Sequence, residues 1–533
     1  MIVDPITAEI VKSSLVYASE EMGIAVRNSA YSPNIKERLD HSCALFDRTG
    51  RLIAQAEHIP VHLGSLPWGL RATLEAINLQ HGGVREGEMW VVNDPYISGT
   101  HLNDVTVIRP IFFRGDLAGF AANKAHHTDV GGMVPGSMSA DAPDLFAEGL
   151  VVPPVRLVEG DRVVDSTVAL FRANSRTPDA RSGDLRAQTA GNATGERRML
   201  ELYERYGRET VDAAVNRMLD DSEIRMRTAL HGLGEGEFVQ SDVLEDRDGN
   251  PSILIRLKLT LRGGTAHFDY TGTAAQLPFP MNAVYGVTLS GVYYALRAVT
   301  DPAIPMNEGC FRPVSVHVPE GTLLNPRRPS PVSGGNVETS TRNADVVLGA
   351  LAQAAPDRVP AQSGGTMSNV MIGGMRDDGS TWAFYETNGC GMGARPTMDG
   401  LDGIQCHMTN TLNTPIEAIE RDYPMRVSRY EFADGTAGRG RHRGGEGLIR
   451  ALTLTEGTAR ISLLAERHAV APHGSQGGGN GATGKHTLIE AGGESSPLPA
   501  KTTRAFAPGQ TLVIQTPGGG GYGDGDGAGV GAG

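Results

Sequence analysis

The sequence predicts a multi-domain α+β (mixed α/β) protein whose C-terminal part is rich in glycine and dominated by strands. Its 533 residues are more than one hydrophobic core usually serves. Helical periodicity and short alternating segments both recur along the chain, which indicates both kinds of secondary structure. There are 69 glycines, and their excess over a typical content lies largely in the last third and follows no fixed period. They therefore indicate tight turns and close backbone approaches.

The first predicted domain covers residues 1–235 and mixes helices with short strands. Asp4 and Pro5 begin a helix, because Asp caps a helix and Pro is accepted in its first turn. Short strands and a helix near 67–80 follow. The region ends in two amphipathic helices with charged outer faces, within residues 183–232.

Two further regions and a tail complete the predicted organisation. Residues 236–424 read as a central mixed α/β domain, with helices near 282–298 and 342–354. Residues 425–520 read as short strands joined by glycine turns. The last stretch, 521–533, is a low-complexity glycine-rich tail that we predict to be disordered.

Composition excludes several classes of protein. The net charge of −13 and the lack of Lys/Arg clusters argue against a nucleic-acid partner. No apolar run approaches the roughly 18 residues that a membrane span needs, and the N-terminus lacks the apolar core of a signal peptide. The four cysteines show no C-x-x-C spacing. We therefore expect a cytoplasmic protein without a disulfide framework or a thiolate zinc site.

Two polar segments between apolar strands form the main candidate site. The first, "NDPYISGTHLNDV", carries the H-x-x-D pair His101 and Asp104, and the second, "AHHTDVGG", begins with Ala125 and His126. Imidazole and carboxylate groups at converging strand ends suit a divalent first-row metal. The alternative is that these polar residues only cap turns. Asp40 is a further candidate ligand that spacing alone does not select.

Other candidates are less specific. Pro60 argues against one continuous helix through His58 and His62, so these histidines are read either as lining a site or as buried core residues. Glu338 and Arg342 are either a surface pair or a substrate clamp. Nearby, Ser340 or Thr341 is predicted to cap the helix that follows, where free N–H groups favour anions.

One glycine-rich stretch comes close to a nucleotide-binding loop. "GNGATGKH" (479–486) approaches the pattern G-x-x-x-x-G-K-[ST], but His486 replaces the hydroxyl residue that would bind Mg²⁺. No clear strand leads into it. The sequence therefore predicts no ATP site in this chain.

The quoted segments together resemble the hydantoinase B/oxoprolinase family. The resemblance rests on a series of stretches in family order, among them "DPITAEIVKSSL", "IKERLDHSCALFDRTGRLIAQAEHIPVHLGSL", "VVNDPYISGTHLNDV", "AHHTDVGGMVPGSM", "SGGNVETSTR" and "TPGGGGYGDG". It implies one divalent metal ion (Zn, Mn or Fe) on His101, Asp104 and His126, with Asp40 as a further ligand. It also implies a hetero-oligomer with an A-type partner subunit that uses ATP and Mg.

The same resemblance implies a division of chemistry between the subunits. The partner would phosphorylate the carbonyl oxygen of a cyclic amide, and this chain would hydrolyse the activated substrate with metal-activated water. Asp94, His127 and Asp129 would orient the metal ligands without binding the metal themselves. The alternatives are a subunit of an ATP-dependent ketone carboxylase, of the acetone or acetophenone type, and a non-catalytic scaffold.

Overall fold

The computed structural model describes residues 3–56 and 58–525 and has an α+β architecture with several sheets. Its helices are α1 (Pro5–Ser29), α2 (Pro33–Lys36), α3 (His62–His81), α4 (Pro95–Ser98), α5 (Leu145–Glu148), α6 (Asp165–Ala173), α7 (Pro178–Tyr206), α8 (Arg208–His231), α9 (Tyr285–Val299), α10 (Ser340–Ala354) and α11 (Ile416–Asp422). A 3-10 helix spans Glu308–Phe311 and a π-helix spans Gly335–Thr339.

Twenty strands make up the sheets of the described chain. They are β1 (His41–Asp47), β2 (Leu52–Gln55), β3 (Met89–Val92), β4 (Asp104–Phe113), β5 (Asp116–His126), β6 (Val155–Glu159), β7 (Arg162–Val163), β8 (Gly236–Glu245), β9 (Pro251–Arg262), β10 (Thr265–Asp269), β11 (Val314–His317), β12 (Asn369–Met375), β13 (Thr381–Glu386), β14 (Met425–Ala433), β15 (Gly447–Leu454), β16 (Thr458–Leu464), β17 (Lys485–Ile489), β18 (Ser495–Leu498), β19 (Lys501–Phe506) and β20 (Thr511–Gln515).

The N-terminal sheet has the order β2-β1-β5-β4-β3-β6-β7, and each neighbouring pair is antiparallel. Successive residues of its strands face opposite sides. Leu45 and Ala121 join the core formed with α1 and α7, whereas Ala44 and Ala122 join the core under α3. Helices therefore cover both faces, which explains why the central strands are apolar throughout.

The predicted helices agree with the structure apart from shifts at their ends; α7, for example, begins at Pro178 rather than within 183–232. Asp4 caps α1 as expected, since its side chain accepts from the backbone N–H groups of Ile6 and Thr7. The helix predicted from residue 67 begins earlier, at His62, and contains Pro67 in its interior. The cap predicted at Ser340 or Thr341 was wrong, because α10 continues directly from the π-helix.

Three further sheets complete the fold. Strands β8 to β11 form a sheet of order β11-β10-β9-β8, against which α10 packs. A sheet of order β13-β12-β16-β19 and another of order β14-β15-β20-β17-β18 share one apolar core. Strand β12 pairs with β16. That sheet therefore crosses the predicted boundary between residues 424 and 425, because the partner strand of β12 comes from the C-terminal region.

The glycine-rich C-terminal part packs backbone against backbone, as the composition indicated. A Cβ atom on Gly391 would lie 2.0 Å from the carbonyl oxygen of Gly445, and one on Gly519 would lie 2.1 Å from that of Met392. Within the predicted tail, Tyr522 is buried and exchanges backbone hydrogen bonds with His442, so ordered chain extends beyond residue 520. Residues 526–533 of that tail lie outside the described residues.

Candidate metal centre

One hairpin brings the candidate ligands together. Strand β4 begins at Asp104 and β5 ends at His126, and these two residues are paired in the antiparallel ladder. His101 lies in the loop just before β4. That loop follows α4, whose C-terminus is capped by Gly99 with a φ of 87°. A glycine adopts this left-handed conformation without the strain that a side chain would add.

The loop is fixed to β5 by buried polar contacts. The ammonium group of Lys124 donates to the carbonyl oxygen of Ser98 at 2.8 Å and to Oγ1 of Thr100 at 2.9 Å. The side-chain Nδ2 of Asn103 donates to the backbone carbonyl oxygen of His127 at 2.9 Å. The backbone carbonyl oxygen of Asn103 accepts from the backbone N–H of His127 at 2.7 Å. These contacts hold His101 beside the end of β5.

His101, Asp104 and His126 form a buried cluster with the properties of a metal site. One ligand atom from each lies within 4.8 Å of the other two, and His101 Nε2 is 3.3 Å from Asp104 Oδ1. Both ring nitrogens of His101 and Nε2 of His126 have no hydrogen-bond partner among the described residues. Buried polar atoms are rarely left unbonded. Two imidazoles and a carboxylate are common ligands of Zn, Mn or Fe, so the residues fit such an ion.

Residues from distant segments set the orientation of the His126 ring. Its Nδ1 atom lies 3.1 Å from the side-chain amide of Asn34. Its face stacks on Tyr385, with ring centroids 4.4 Å apart, and the Tyr385 hydroxyl donates to Asn369 Oδ1 at 3.1 Å. Contacts of this kind fix which ring nitrogen of a ligating histidine faces the metal. Here the contact with Asn34 occupies Nδ1 of His126, so that Nε2 is the ring nitrogen available to the cluster.

A cavity of about 20 Å³ lies beside the cluster. It holds about one water molecule or one ion. His62 lines it, with Nε2 3.4 Å from Asp104 Oδ2 and Nδ1 2.8 Å from the Ser42 hydroxyl. Asp40 and Asn336 line it as well, and the Asn336 side-chain amide lies 3.5 Å from Asp104 Oδ2.

The protonation states of the cluster suit metal binding. Burial, reinforced by the charge of His101, holds the pKa of His126 well below its usual range. Burial also lowers the pKa of His62. Burial raises the pKa of Asp104, but the neighbouring imidazoles of His101 and His62 outweigh it and hold that pKa well below its usual range. His126 and His62 are therefore neutral imidazoles near pH 7, and Asp104 is an ionised carboxylate. Burial raises the pKa of Asp40 to about 7.

The three residues expected to orient the ligands lie at different places. His127 Nε2 is bonded to Gln188 Oε1 at 2.9 Å, and its backbone holds Asn103. Asp129 accepts from the backbone of Gly131 and Gly136 and from the backbone and guanidinium of Arg176, and so shapes the following loop.

Asp94 lies outside the cavity. It caps α4 through the Tyr96 N–H and pairs with Arg328. Its hydrogen bonds and ion pairs within the described chain do not reach the cluster.

Of the remaining candidates, His62 lines the cavity, whereas the others have different surroundings. His58 packs against His41, with ring centroids 4.9 Å apart, and does not line the cavity as His62 does. Glu338 and Arg342 are both fully buried and so are not a surface pair. Glu338 accepts from the Asn369 side chain, whereas Arg342 donates to the carbonyl oxygen of Val243. Both are internal parts of the fold.

Sequence reasoning missed the contacts that Asn34, Tyr385 and Asn336 make with the cluster. Each comes from a segment far along the chain from the β4–β5 hairpin, and no local pattern marks it. Only the quoted stretches "ERLD" and "SGGNVETSTR" pointed to the neighbourhood of Asn34 and Asn336.

A family model described as hydantoinase B/oxoprolinase matches residues 4–525. The chain therefore belongs to the hydantoinase B/oxoprolinase family. It is 46% identical to an uncharacterised protein of Methanocaldococcus jannaschii, over 97% of this chain and 90% of that one. It is 32% identical to a Pseudomonas protein whose name describes it as one subunit of a "Putative D-/L-hydantoinase", again over 97% and 90%.

A longer relative matches over only part of its length. The chain is 37% identical to 5-oxoprolinase 1 of Arabidopsis thaliana over 97% of its own residues, and it spans 42% of that protein.

Two solved structures share the fold. An ATP-dependent caprolactamase from Pseudomonas jessenii superposes with a TM-score of 0.91 at 30% identity, covering 98% of this chain and 92% of that one. A nucleotide-free acetone carboxylase superposes with a TM-score of 0.90 at 18% identity, covering 98% and 76%, which shows the fold alone. Within the described residues, no helix is both long and apolar enough to cross a bilayer.

Proposed function

We propose that this chain is the metal-dependent subunit of an ATP-dependent cyclic amide hydrolase of the hydantoinase, oxoprolinase or lactamase type. The observation that carries the proposal is the buried cluster of His101, Asp104 and His126 beside a cavity of about 20 Å³, in which both ring nitrogens of His101 and Nε2 of His126 lack hydrogen-bond partners among the described residues. Family membership supplies the class of reaction. In the proposal, the hydrolytic step takes place at the cluster.

In this proposal His101, Asp104 and His126 hold one divalent metal ion, Zn, Mn or Fe, and Asp40 is the further candidate ligand. When bound, such an ion supplies Lewis-acid chemistry, which lowers the pKa of water and polarises a carbonyl oxygen. Asp104 contributes the negative charge, and His62 fixes its second oxygen. The small volume of the cavity, about 20 Å³, keeps bulk water away from the cluster.

The surrounding residues act by positioning. Lys124 and Asn103 hold the loop that carries His101, and Tyr385 holds the plane of the His126 ring. His127 and Asp129 act through the backbone that they organise, since His127 bonds to Gln188 and Asp129 to Arg176. We propose no role in catalysis for Asp94.

The proposal places the ATP site, with its magnesium, on an A-type partner subunit in a hetero-oligomer. Lys485 of the loop-like stretch "GNGATGKH" begins strand β17 rather than a helix, so the stretch lacks the helix N-terminus that a phosphate loop needs. The Pseudomonas relative is named as one subunit of a hydantoinase, and the caprolactamase is described as ATP-dependent. A cytoplasmic location, which the four free cysteines favour, is part of the same proposal.

Elemental analysis of the purified chain tests the metal. We expect stoichiometric metal in the wild type and its loss from His101→Ala. His267→Ala is the matched control, because His267 is exposed and bonds to Ser315 in a different sheet. Full metal content and full activity in His101→Ala would contradict the assignment.

The reassembled complex tests the substrate class. A hydantoin or lactam with ATP should give a ring-opened product, whereas a ketone with ATP and bicarbonate should give none. Formation of a carboxylated ketone would identify the carboxylase alternative, which only the shared fold supports. Unchanged turnover in a complex carrying metal-free His101→Ala would identify the scaffold alternative.

A further inference from the structure

The fold brings together two cysteines that are sixteen residues apart in the sequence. The Cys390 thiol donates to Cys406 Sγ, with the sulfurs 3.8 Å apart, and both residues are free. The backbones of Cys390 and Ile404 exchange hydrogen bonds at 2.8 and 2.9 Å. Cys406 follows two residues later, so its side chain returns to the same side of the paired segments.

The two thiols differ in environment. Cys390 is buried, and a Cβ atom on Gly364 would lie 2.5 Å from its sulfur. The hydrogen bond to Cys406 and burial raise the pKa of the Cys390 thiol well above its usual range. Cys406 is partly exposed and lines a cavity of about 430 Å³ together with Tyr294 and His407. A small oxidant entering this cavity meets Cys406 first.

Both cysteines lie on segments that form the wall of the metal cavity. Tyr385 and Thr387 precede Cys390, Met408 and Thr409 follow Cys406, and all four of these neighbours line the cavity. A link between the sulfurs would tie the two segments together a few residues from that wall.

We propose that Cys390 and Cys406 are a redox-active thiol pair that closes to a disulfide when a peroxide reaches Cys406. The Cys406 sulfur attacks the peroxide, so that an S–O bond forms, the O–O bond breaks and one water leaves. The Cys390 sulfur then attacks the Cys406 sulfur. The S–S bond forms, the S–O bond breaks and a second water carries off the remaining thiol proton. Two thiols are oxidised and one hydrogen peroxide is reduced.

The movement that this step requires is small. A disulfide has its sulfurs about 2.05 Å apart, so the pair must approach by roughly 1.7 Å. Cys390 is held in place by Ile404 and by the Gly364 backbone. The partly exposed Cys406 side chain makes the approach by turning about χ1. The inference concerns these thiols alone and does not depend on the proposed function.

Peroxide treatment of the full chain, followed by thiol alkylation, tests the pair. A protease that cuts before aspartate separates the two cysteines at Asp399 and Asp402, so only a disulfide keeps their peptides joined. We expect the loss of two of the four alkylatable thiols, a joined Cys390–Cys406 peptide, and full reversal by dithiothreitol. Cys310→Ala, which removes a different buried thiol, should behave like the wild type.

Cys406→Ser should abolish the joined peptide and leave Cys390 open to alkylation after denaturation. If that variant fails to fold, Cys390→Ala should likewise abolish the joined peptide. Accumulation of sulfinic acid on Cys406 while Cys390 stays alkylatable would overturn the proposal. Amide hydrogen exchange across residues 387–409 should be slower in the oxidised chain than in the reduced one. Unchanged exchange there would contradict the coupling to the cavity wall.

Discussion

Replacing Asp104 by Asn separates the two halves of the proposed reaction. The substitution preserves the shape of the side chain but removes the only carboxylate in the three-residue cluster. Asp104 Oδ1 lies 3.3 Å from His101 Nε2, and Oδ2 lies 3.4 Å from His62 Nε2. Both histidines therefore lose a carboxylate neighbour, and a bound cation loses its anionic ligand.

The expected effect on metal affinity is large. Removing a residue that only supports a metal ligand typically lowers affinity roughly 10–100-fold. Removing the charge of a ligand itself should cost at least about 100-fold, or about 2.8 kcal/mol of binding free energy. The activation of substrate by ATP in the partner should continue, because the substitution does not touch that subunit.

The assay measures phosphate release and ring-opened product in the same reaction of the reassembled complex. We expect phosphate to continue to form while product falls well below the stoichiometry of the native pair, since water can attack the activated phosphate. His267→Ala should keep the native ratio. A strictly proportional fall of phosphate and product in Asp104→Asn would refute the division of chemistry between the subunits, and native values for both would leave Asp104 with only a structural role.

Three further outcomes follow from other residues. Calorimetry of the isolated chain should detect no tight ATP binding, with or without Lys485→Ala, and micromolar binding that the substitution abolishes would contradict the reading of β17. Burial raises the pKa of Glu338 to about 8, so its stabilising contribution is complete below its unfolded pKa of about 4.3 and disappears as the pH rises through about 8. Gln is a neutral isostere that does not titrate, so the melting temperature of the wild type should fall relative to that of Glu338→Gln as the pH rises from 5 to 9, and a constant difference would count against it. Tyr385→Phe should lose about 1 kcal/mol in urea unfolding but keep its metal, whereas Tyr385→Leu, which removes the ring stacked on His126, should retain less metal.

Sequence periodicity predicted the long surface helices well but located some helix ends poorly. Helix α1 has a capping Asp4 and a one-sided apolar pattern, which are local signals. The start of α3 at His62 was missed, because Pro67, a residue typical of a first turn, lies in the interior of this helix. The cap predicted for α10 at Ser340 or Thr341 was wrong because a π-helix precedes α10, and the hydrogen bonds of that π-helix leave no sequence signature that we recognised.

The candidate site likewise combines residues that are close in the sequence with contacts between distant segments. His101, Asp104 and His126 could be predicted together because one hairpin carries them all. The contacts of Tyr385 with His126, and of Cys390 with Cys406, depend on how separate segments meet. Spacing along the chain holds no information about either contact, so the sequence suggested four unrelated cysteines.

The backbone packing of the C-terminal glycines determines where this protein can be engineered. A methyl group on Gly444, Gly445 or Gly518 would lie 2.0, 1.9 and 1.9 Å from a carbonyl oxygen. Because each obstacle is main chain, no side-chain rotation relieves the overlap, and even alanine should lower the yield of folded protein. A library built to alter substrate choice should leave these positions fixed. Open positions such as Gly492, where an added Cβ meets nothing within 4 Å, can accept tags or new residues.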